Sequence, residues 1–268
     1  MRCRLLLLLF SFLGSSLADG AEEPAIASAK GKGALFICGG GKLTENTLAR
    51  FVELAGKQAA RLVYIPTAGS DEDVAQASKA IELWKTRGIS HVTLLHTRDP
   101  AEADSEAFVK PLREATAIWF RGGSQARLAE AYLGTKTEQA IHDLYERGGV
   151  VGGTSAGAAI HSRVMLDSVN GVPKIATGFD LLPGAIIDQH FLARNRFSRL
   201  QEAIGQHPDR IGVGIDEGTA IVYQSGQCEV LGASYVIRMV AGEVPNSISV
   251  DLFHEGQSFP LGMQSTAK

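Results

Sequence analysis

The chain has 268 residues, 45% of them hydrophobic and 21% charged, which suits one large α/β domain with a sizeable core and excludes a disordered chain. A formal net charge of -3 excludes a general basic field, so no nucleic-acid partner is expected, and any recognition of carboxylates falls to local clusters.

Residues 1–18 read as a signal peptide, with Arg2 and Arg4 as a basic start, Leu5 to Leu13 as an apolar run and Ser16-Leu17-Ala18 as a small-residue cleavage site. The run is shorter than the ~20 residues that cross a bilayer. Cys3 precedes it, which does not fit lipidation. A secreted or periplasmic protein is expected, free of the membrane after cleavage. Residues 19–32 form a lead of small and charged residues, and 33–268 are read as a single α/β domain.

Along that domain, short apolar runs at 34–38, 61–65, 91–95, 117–120 and 150–152 predict strands. Between them, amphipathic stretches at 44–58, 73–87, 102–114 and 124–147 predict helices, the last broken near Gly134. The alternation predicts an open, mostly parallel sheet with flanking helices. After residue 186 the runs 211–215, 219–223 and 234–240 predict antiparallel strands that extend the same sheet. Ligands collect at the carboxyl ends of parallel strands, where this chain places Gly39-Gly40-Gly41, Gly122-Gly123 and Gly152-Gly153. The first of these lacks the dinucleotide fingerprint and reads as an ordinary strand-to-loop turn. No CxxC pair or HExxH segment is present, so neither a metal nor a cofactor is expected. Whether Cys38 and Cys228 pair, and whether two copies form a homodimer, is left open.

Gly153-Thr154-Ser155-Ala156-Gly157 matches G-x-S-x-G where a strand meets a helix, the setting of a nucleophile elbow. A sharp turn there exposes Ser155 as a candidate nucleophile, and the Ala156 amide at the helix start can receive an oxyanion. Gly123, at a neighbouring strand end, is the candidate second donor. Of seven histidines, His190 ends the apolar run Ala185-Ile186-Ile187 and precedes Arg194, Arg196 and Arg199, which makes it the candidate base. His161 is expected on another face of the Ser155 helix, in a structural role. A helix begun after Phe191 would set Arg196 and Arg199 on one side, with Arg194 nearest His190.

Phe120-Arg121-Gly122-Gly123-Ser124-Gln125, Gly152 to Ala158, Asp188-Gln189-His190-Phe191 and Gly214-Ile215-Asp216-Glu217 together resemble the peptidase S51 family, and more closely its cyanophycinase branch. The resemblance implies a glutamine-amidotransferase-like, flavodoxin-like fold with Ser155 as nucleophile and His190 as base. It also implies a substrate pocket containing Gln125, Asp188, Gln189, Arg194, Arg196 and Arg199. Its substrate would be cyanophycin, a polyaspartate bearing arginine in amide linkage, or a related acidic peptide, with release of β-aspartyl-arginine. Guanidinium forks suit the free carboxylates of such a substrate, and Asp188 would suit its arginine. Arg121 and Ser124 depart from the family's common pattern, which carries a small residue and an Asp or Asn there. For the acidic partner of the histidine, Asp167 keeps roughly the family's spacing and Asp180 is the rival. An exported aspartyl or isoaspartyl dipeptidase is the alternative activity. A secreted binding protein without catalysis is disfavoured, because nucleophile, base and acid candidates are all present.

Overall fold

The computed structural model describes residues 32–261 except 170, 171, 243, 245 and 246. The expected signal peptide and nearly all of the lead lie outside the described residues.

From Ala34 to Thr154 the chain alternates strand and helix. The elements are β1 (Ala34–Cys38), α1 (Glu45–Ala55), β2 (Arg61–Ile65), α2 (Asp71–Ala75), α3 (Ala77–Thr86), β3 (His91–Leu94), α4 (Pro100–Ala103) and α5 (Glu106–Glu114). β4 (Ala117–Phe120), α6 (Gln125–Tyr132), α7 (Lys136–Glu146) and β5 (Val150–Thr154) complete this half. Helix starts carry local caps, because the first amides of a helix lack partners within it. Thr44 accepts from the Thr47 amide at 3.1 Å, and Ser70 and Asp73 form a capping box at α2. Gly56, with φ 108°, ends α1 in the left-handed conformation that glycine adopts freely.

The second half contains α8 (Ala156–Ala159), the hairpin β6 (Val164–Val169) and β7 (Val172–Thr177), then β8 (Ala185–Gln189), α9 (Phe197–Gln206) and β9 (Ile211–Ile215). It ends with β10 (Thr219–Gln224), β11 (Gln227–Gly232), β12 (Tyr235–Ala241), β13 (Ile248–His254) and β14 (Ser258–Pro260).

The main sheet has eight strands in the order β14-β11-β10-β1-β5-β4-β2-β3. β1, β5, β4, β2 and β3 are parallel, and β10, β11 and β14 continue the sheet antiparallel beyond β1. The fold is therefore the expected α/β architecture with a large, mostly parallel central sheet. The second half differs from expectation. β8, β9, β12 and β13 do not join the main sheet but form a second one, ordered β13-β12-β9-β8.

Both faces of the main sheet are covered at its centre, so the parallel strands β1, β4 and β5 are buried along nearly their whole length rather than alternating, while the edge strand β3 is largely exposed. On one face Phe36, Phe51, Trp84 and Trp119 pack edge to face or tilted, with Phe51 and Trp119 centroids 4.8 Å apart. Gly152 makes room for them, since a Cβ there would lie 2.8 Å from the Phe51 ring. The other face packs Ile37, Val63, Ile118 and Val151 under α5, α6 and α7. Burying each large side chain contributes about 1.5–3 kcal/mol, which holds the strand ends that carry the site in fixed positions. Cys38 and Cys228 are buried and unpaired. Burial pushes the Cys228 thiol up to about 12, so it is inert as a nucleophile at neutral pH.

Candidate active site

Ser155 sits between β5 and α8 with φ 55° and ψ -112°, a conformation that a side-chain-bearing residue adopts only when its surroundings force it. The forcing contacts are visible in its neighbours. A Cβ on Gly153 would lie 2.3 Å from the Gly157 carbonyl, and one on Gly157 would lie 2.5 Å from the Phe120 carbonyl. The turn can close this tightly only with glycine at both places. The Ser155 amide donates to the Cys38 carbonyl at 3.0 Å, pinning the turn to the end of β1.

His190 follows β8 and reaches the serine from the second sheet. Its Nε2 lies 2.8 Å from Ser155 Oγ, and its Nδ1 lies 2.5 Å from Glu217 Oε1. Its own φ of 49° is also left-handed. Three backbone contacts hold it in place. The His190 amide donates to the Gly39 carbonyl at 2.7 Å, the Gly218 amide donates to the Gly40 carbonyl at 2.9 Å, and the Arg194 amide donates to the His190 carbonyl at 3.0 Å. Gly39-Gly40-Gly41 is therefore more than an ordinary turn. A Cβ on Gly40 would fall 2.2 Å from His190 Cε1, and one on Gly41 would fall 2.8 Å from the Glu217 Cβ. Both glycines also have positive φ, 107° and 67°.

The acidic partner of His190 is Glu217, not Asp167 or Asp180. Both ring nitrogens are occupied, one by the serine and one by Glu217, so no imidazole position remains for another carboxylate. Asp167 lies on β6 opposite Lys174 in the hairpin, and Asp180 precedes β8 with φ 57° and a buried Oδ1 that has no partner. Glu217 stands in the turn from β9 to β10, which its neighbour Asp216 anchors. The Asp216 carboxylate accepts from the Leu192 and Ala193 amides at 3.0 and 2.9 Å and from the Ser234 hydroxyl at 2.7 Å. Burial raises its pKa, but these donors outweigh burial and hold it below the usual carboxylate value.

Burial lowers the His190 pKa below the ordinary imidazole value, and the charges of Arg194 and Arg196 act in the same direction. The Glu217 hydrogen bond and charge oppose them without reversing the shift. A neutral imidazole is thus available at neutral pH to accept the serine proton.

The amides of Gly123 and Ala156 have no hydrogen-bond acceptor among the described residues. The loop carrying Gly123 lies beside the serine, since a Cβ on Gly122 would lie 3.1 Å from Ser155 Cβ and 3.7 Å from its Oγ. Free backbone donors next to a serine hydroxyl are what a developing oxyanion requires.

The pocket residues expected around this centre are arranged differently. Asp188 is completely buried on β8 and is gripped by a bidentate fork from Arg199, with Nε to Oδ2 at 2.9 Å and a second bond to Oδ1. Arg196 joins at 3.3 Å and donates to the Gln189 carbonyl at 2.6 Å and to its side-chain oxygen. Asp188, Arg196 and Arg199 therefore satisfy one another, and Asp188 is not open to a substrate guanidinium. The two arginines share a side as expected, but no helix runs from Phe191. Residues 191–195 form turns, with Asn195 at φ 48° and Asp216 taking two of the amides, and α9 begins only at Phe197. Gln125 is buried, and its side-chain amide donates to the Leu166 carbonyl at 2.8 Å, tying α6 to the β6–β7 hairpin. Arg194 alone of the three arginines is exposed and makes no side-chain hydrogen bond or ion pair among the described residues. His161 lies not on the helix but in the turn that follows α8, where it is fully buried with its ring T-shaped to Phe120.

A serine on a strained strand-to-helix turn, bonded to a histidine whose far nitrogen meets a carboxylate, is on an α/β sheet the arrangement of a serine-dependent hydrolase. The chain belongs to peptidase family S51, whose family model matches residues 35–231. Over 198 residues it is 36% identical to a cyanophycinase of Synechococcus elongatus and, equally, to one of Thermosynechococcus vestitus. These alignments cover 70% of this chain and 61% of either relative. A cyanophycinase of Geminocystis herdmanii is 34% identical, with 72% of its length covered. Among solved structures, a peptidase from an acI-B1 Actinobacterium superposes with a TM-score of 0.67 at 24% identity, over 87% of this chain and 98% of that one. A peptidase E-like protein of Listeria monocytogenes gives 0.53 at 20% identity, over 76% of this chain and all of the other, and both superpositions speak to the fold alone.

Proposed function

We propose that this chain is a serine peptidase that hydrolyses amide bonds in acidic aspartyl peptides, with cyanophycin or a related polymer as its substrate class. The observation that carries the reading is the unbroken path from Ser155 Oγ through His190 to Glu217, at 2.8 and 2.5 Å. In the proposed reaction His190 Nε2 takes the hydroxyl proton as Ser155 Oγ attacks the amide carbonyl. The oxyanion forms against the Gly123 and Ala156 amides. The imidazolium, stabilised and oriented by Glu217, then protonates the leaving amine, and water resolves the acyl-enzyme by the same route reversed.

Preference for acidic substrates is supported by local charge. Arg196 and Arg199 are matched by Asp188, and Asp216 and Glu217 add negative charge nearby, so among the described residues the exposed positive charge left without an ion-pair partner beside His190 is that of Arg194. Arg194, exposed and one turn from His190, is the one placed to meet a substrate carboxylate, while Arg196 and Arg199 act by holding the β8 end around Asp188. The basic start and short apolar run at the N-terminus support an exported protein.

The test is to incubate the protein separately with cyanophycin, β-aspartyl-arginine, and α- and isoaspartyl dipeptides, and to identify products by mass. Release of β-aspartyl-arginine from the polymer is the expected result. Cleavage of dipeptides alone would shift the assignment to a dipeptidase, and turnover that survives in Ser155→Ala would remove the nucleophile assignment.

A further inference from the structure

The geometry points to Arg121 as a positioning residue that aims and polarises the Gly123 amide, with Asp73 as the anchor that holds Arg121 in place. The inference rests on the reading of Ser155 as nucleophile and of the Gly123 amide as an oxyanion donor.

Arg121 follows β4 and precedes the two glycines beside the serine. One of its terminal nitrogens donates to the Gly122 carbonyl oxygen at 2.9 Å, and the other donates to Asp73 Oδ1 at 2.5 Å. The Gly122–Gly123 peptide is trans, so its carbonyl and N–H point in opposite directions. A guanidinium fixed on the carbonyl therefore fixes the direction of the Gly123 N–H on the opposite edge. It also draws electron density toward the oxygen and makes that N–H a stronger donor. Glycines cannot supply this order themselves, since each adopts many backbone conformations and Gly123 has φ 146°.

The second end of the clamp is built to match. Asp73 Oδ2 accepts from the Ser70 amide and hydroxyl, each at 2.9 Å. Ser70 and Arg121 together hold the Asp73 pKa below the usual carboxylate value, the Ser70 amide contributing most, so Asp73 stays charged. Gly69 leaves the necessary space, because a Cβ there would lie 2.8 Å from Asp73 Cβ and 3.1 Å from an Arg121 terminal nitrogen. The adjoining loop is fixed independently. The Ser124 amide and Arg127 both donate to the Ala68 carbonyl, and Arg98 donates to the Gly69 carbonyl at 2.9 Å. Everything around the Gly122–Gly123 peptide is therefore anchored, and Arg121 is the side chain that orients the peptide itself.

The test compares the parent with Arg121→Ala, Arg121→Lys, Asp73→Ala and the double variant Arg121→Ala/Asp73→Ala. Two readouts are followed: the rate of labelling by a fluorophosphonate, whose phosphoryl oxygen enters the oxyanion site, and kcat and KM on a β-aspartyl amide. Losing a whole oxyanion donor costs about 10²–10³ in kcat, so misaiming one should slow labelling and kcat about tenfold while KM moves less than about twofold. Lysine should restore part of the rate. The double variant should be no slower than Arg121→Ala alone, because Asp73 acts through Arg121. A rise in KM confined to acidic substrates would overturn the inference by making Arg121 a substrate contact. Parent-like labelling in Arg121→Ala, or additive losses in the double variant, would overturn it as well. Should Arg121→Ala fail to fold, Asp73→Ala read against the parent decides in the same way. Absence of labelling in the parent would instead overturn the reading of Ser155 on which the inference stands.

Discussion

Replacing Glu217 with glutamine keeps the size of the side chain and removes its charge, which isolates what that charge does for His190. At the 2.5 Å between Glu217 Oε1 and His190 Nδ1, a unit charge pair is worth about 332/(ε·r) kcal/mol. The Glu217 side chain is 42% exposed, so water screens the pair strongly. An effective dielectric of about 40 to 80 then gives about 1.7 to 3.3 kcal/mol of imidazolium stabilisation in the transition state. At 1.36 kcal/mol per tenfold, kcat should fall about 20- to 250-fold. A glutamine amide can also donate to Nδ1, which would place the proton on Nε2 and prevent it from accepting the serine proton. The direction of the pH effect follows from the same contact. Glu217 raises the His190 pKa against burial, so Glu217→Gln should move the acid limb of kcat/KM to lower pH. The assay is steady-state hydrolysis of a β-aspartyl amide between pH 4 and 8, as estimated from the ~6.5 reference value of histidine. Activity within about threefold of the parent, with the acid limb unmoved, would refute the role of Glu217. A large loss in Asp167→Asn or Asp180→Asn would do the same.

Asp188→Asn should strip the counter-charge from two nearly buried guanidiniums and destabilise the fold by about 3–5 kcal/mol, read as a lower urea midpoint at unchanged slope. A loss under about 1 kcal/mol would mean that the cluster is solvated and contributes little. His161, buried and uncharged, has its pKa pushed down to about 4 by burial, whereas in the unfolded chain it titrates near ~6.5. The unfolded state binds the proton first as pH falls, so this contribution is complete above about pH 6.5 and is lost progressively toward pH 4, a total of about 3 kcal/mol. Denaturation midpoints at pH 7, 5.5 and 4 should therefore converge between the parent and His161→Gln on acidification, and a constant difference would refute the linkage.

Much of the first half was legible because its strands and helices are set by short-range patterning. Strands at 34–38, 61–65 and 117–120 occur where the apolar runs place them, and the helical stretch 124–147 does break at Gly134. The long stretches 73–87 and 102–114 each proved to be two helices, split at Gln76, which makes no side-chain cap, and at Asp104-Ser105, where the Ser105 side chain caps α5. The second sheet was not legible. β8 and β9 are as fully buried as β1, and only long-range pairing decides which sheet a buried strand joins. The hairpin β6–β7 was missed for a related reason, since β7 is largely exposed and lacks a buried alternating face. Within the site, Ser155 and His190 were readable from local motif and strand end. Glu217 falls in the segment Gly214–Glu217 that carries the resemblance, but the family's spacing points to carboxylates between serine and histidine. Its position 27 residues past His190 becomes meaningful only once β9 is known to lie parallel to β8, which brings both strand ends together.

The site straddles a seam. Ser155 hangs from the main sheet, His190 from the second, and Glu217 from the turn where the chain passes from one to the other. The glycine loop after β1 is the hinge-pin of that seam, holding the imidazole against the serine with no side chain between. Separation of the two sheets by little more than an ångström would break the 2.8 Å contact without unfolding either sheet. Catalytic activity is thus a gauge of sheet docking and should fade in mild denaturant before the helical signal does. A bound substrate that touches both sides of the seam would act as a rivet and delay that loss.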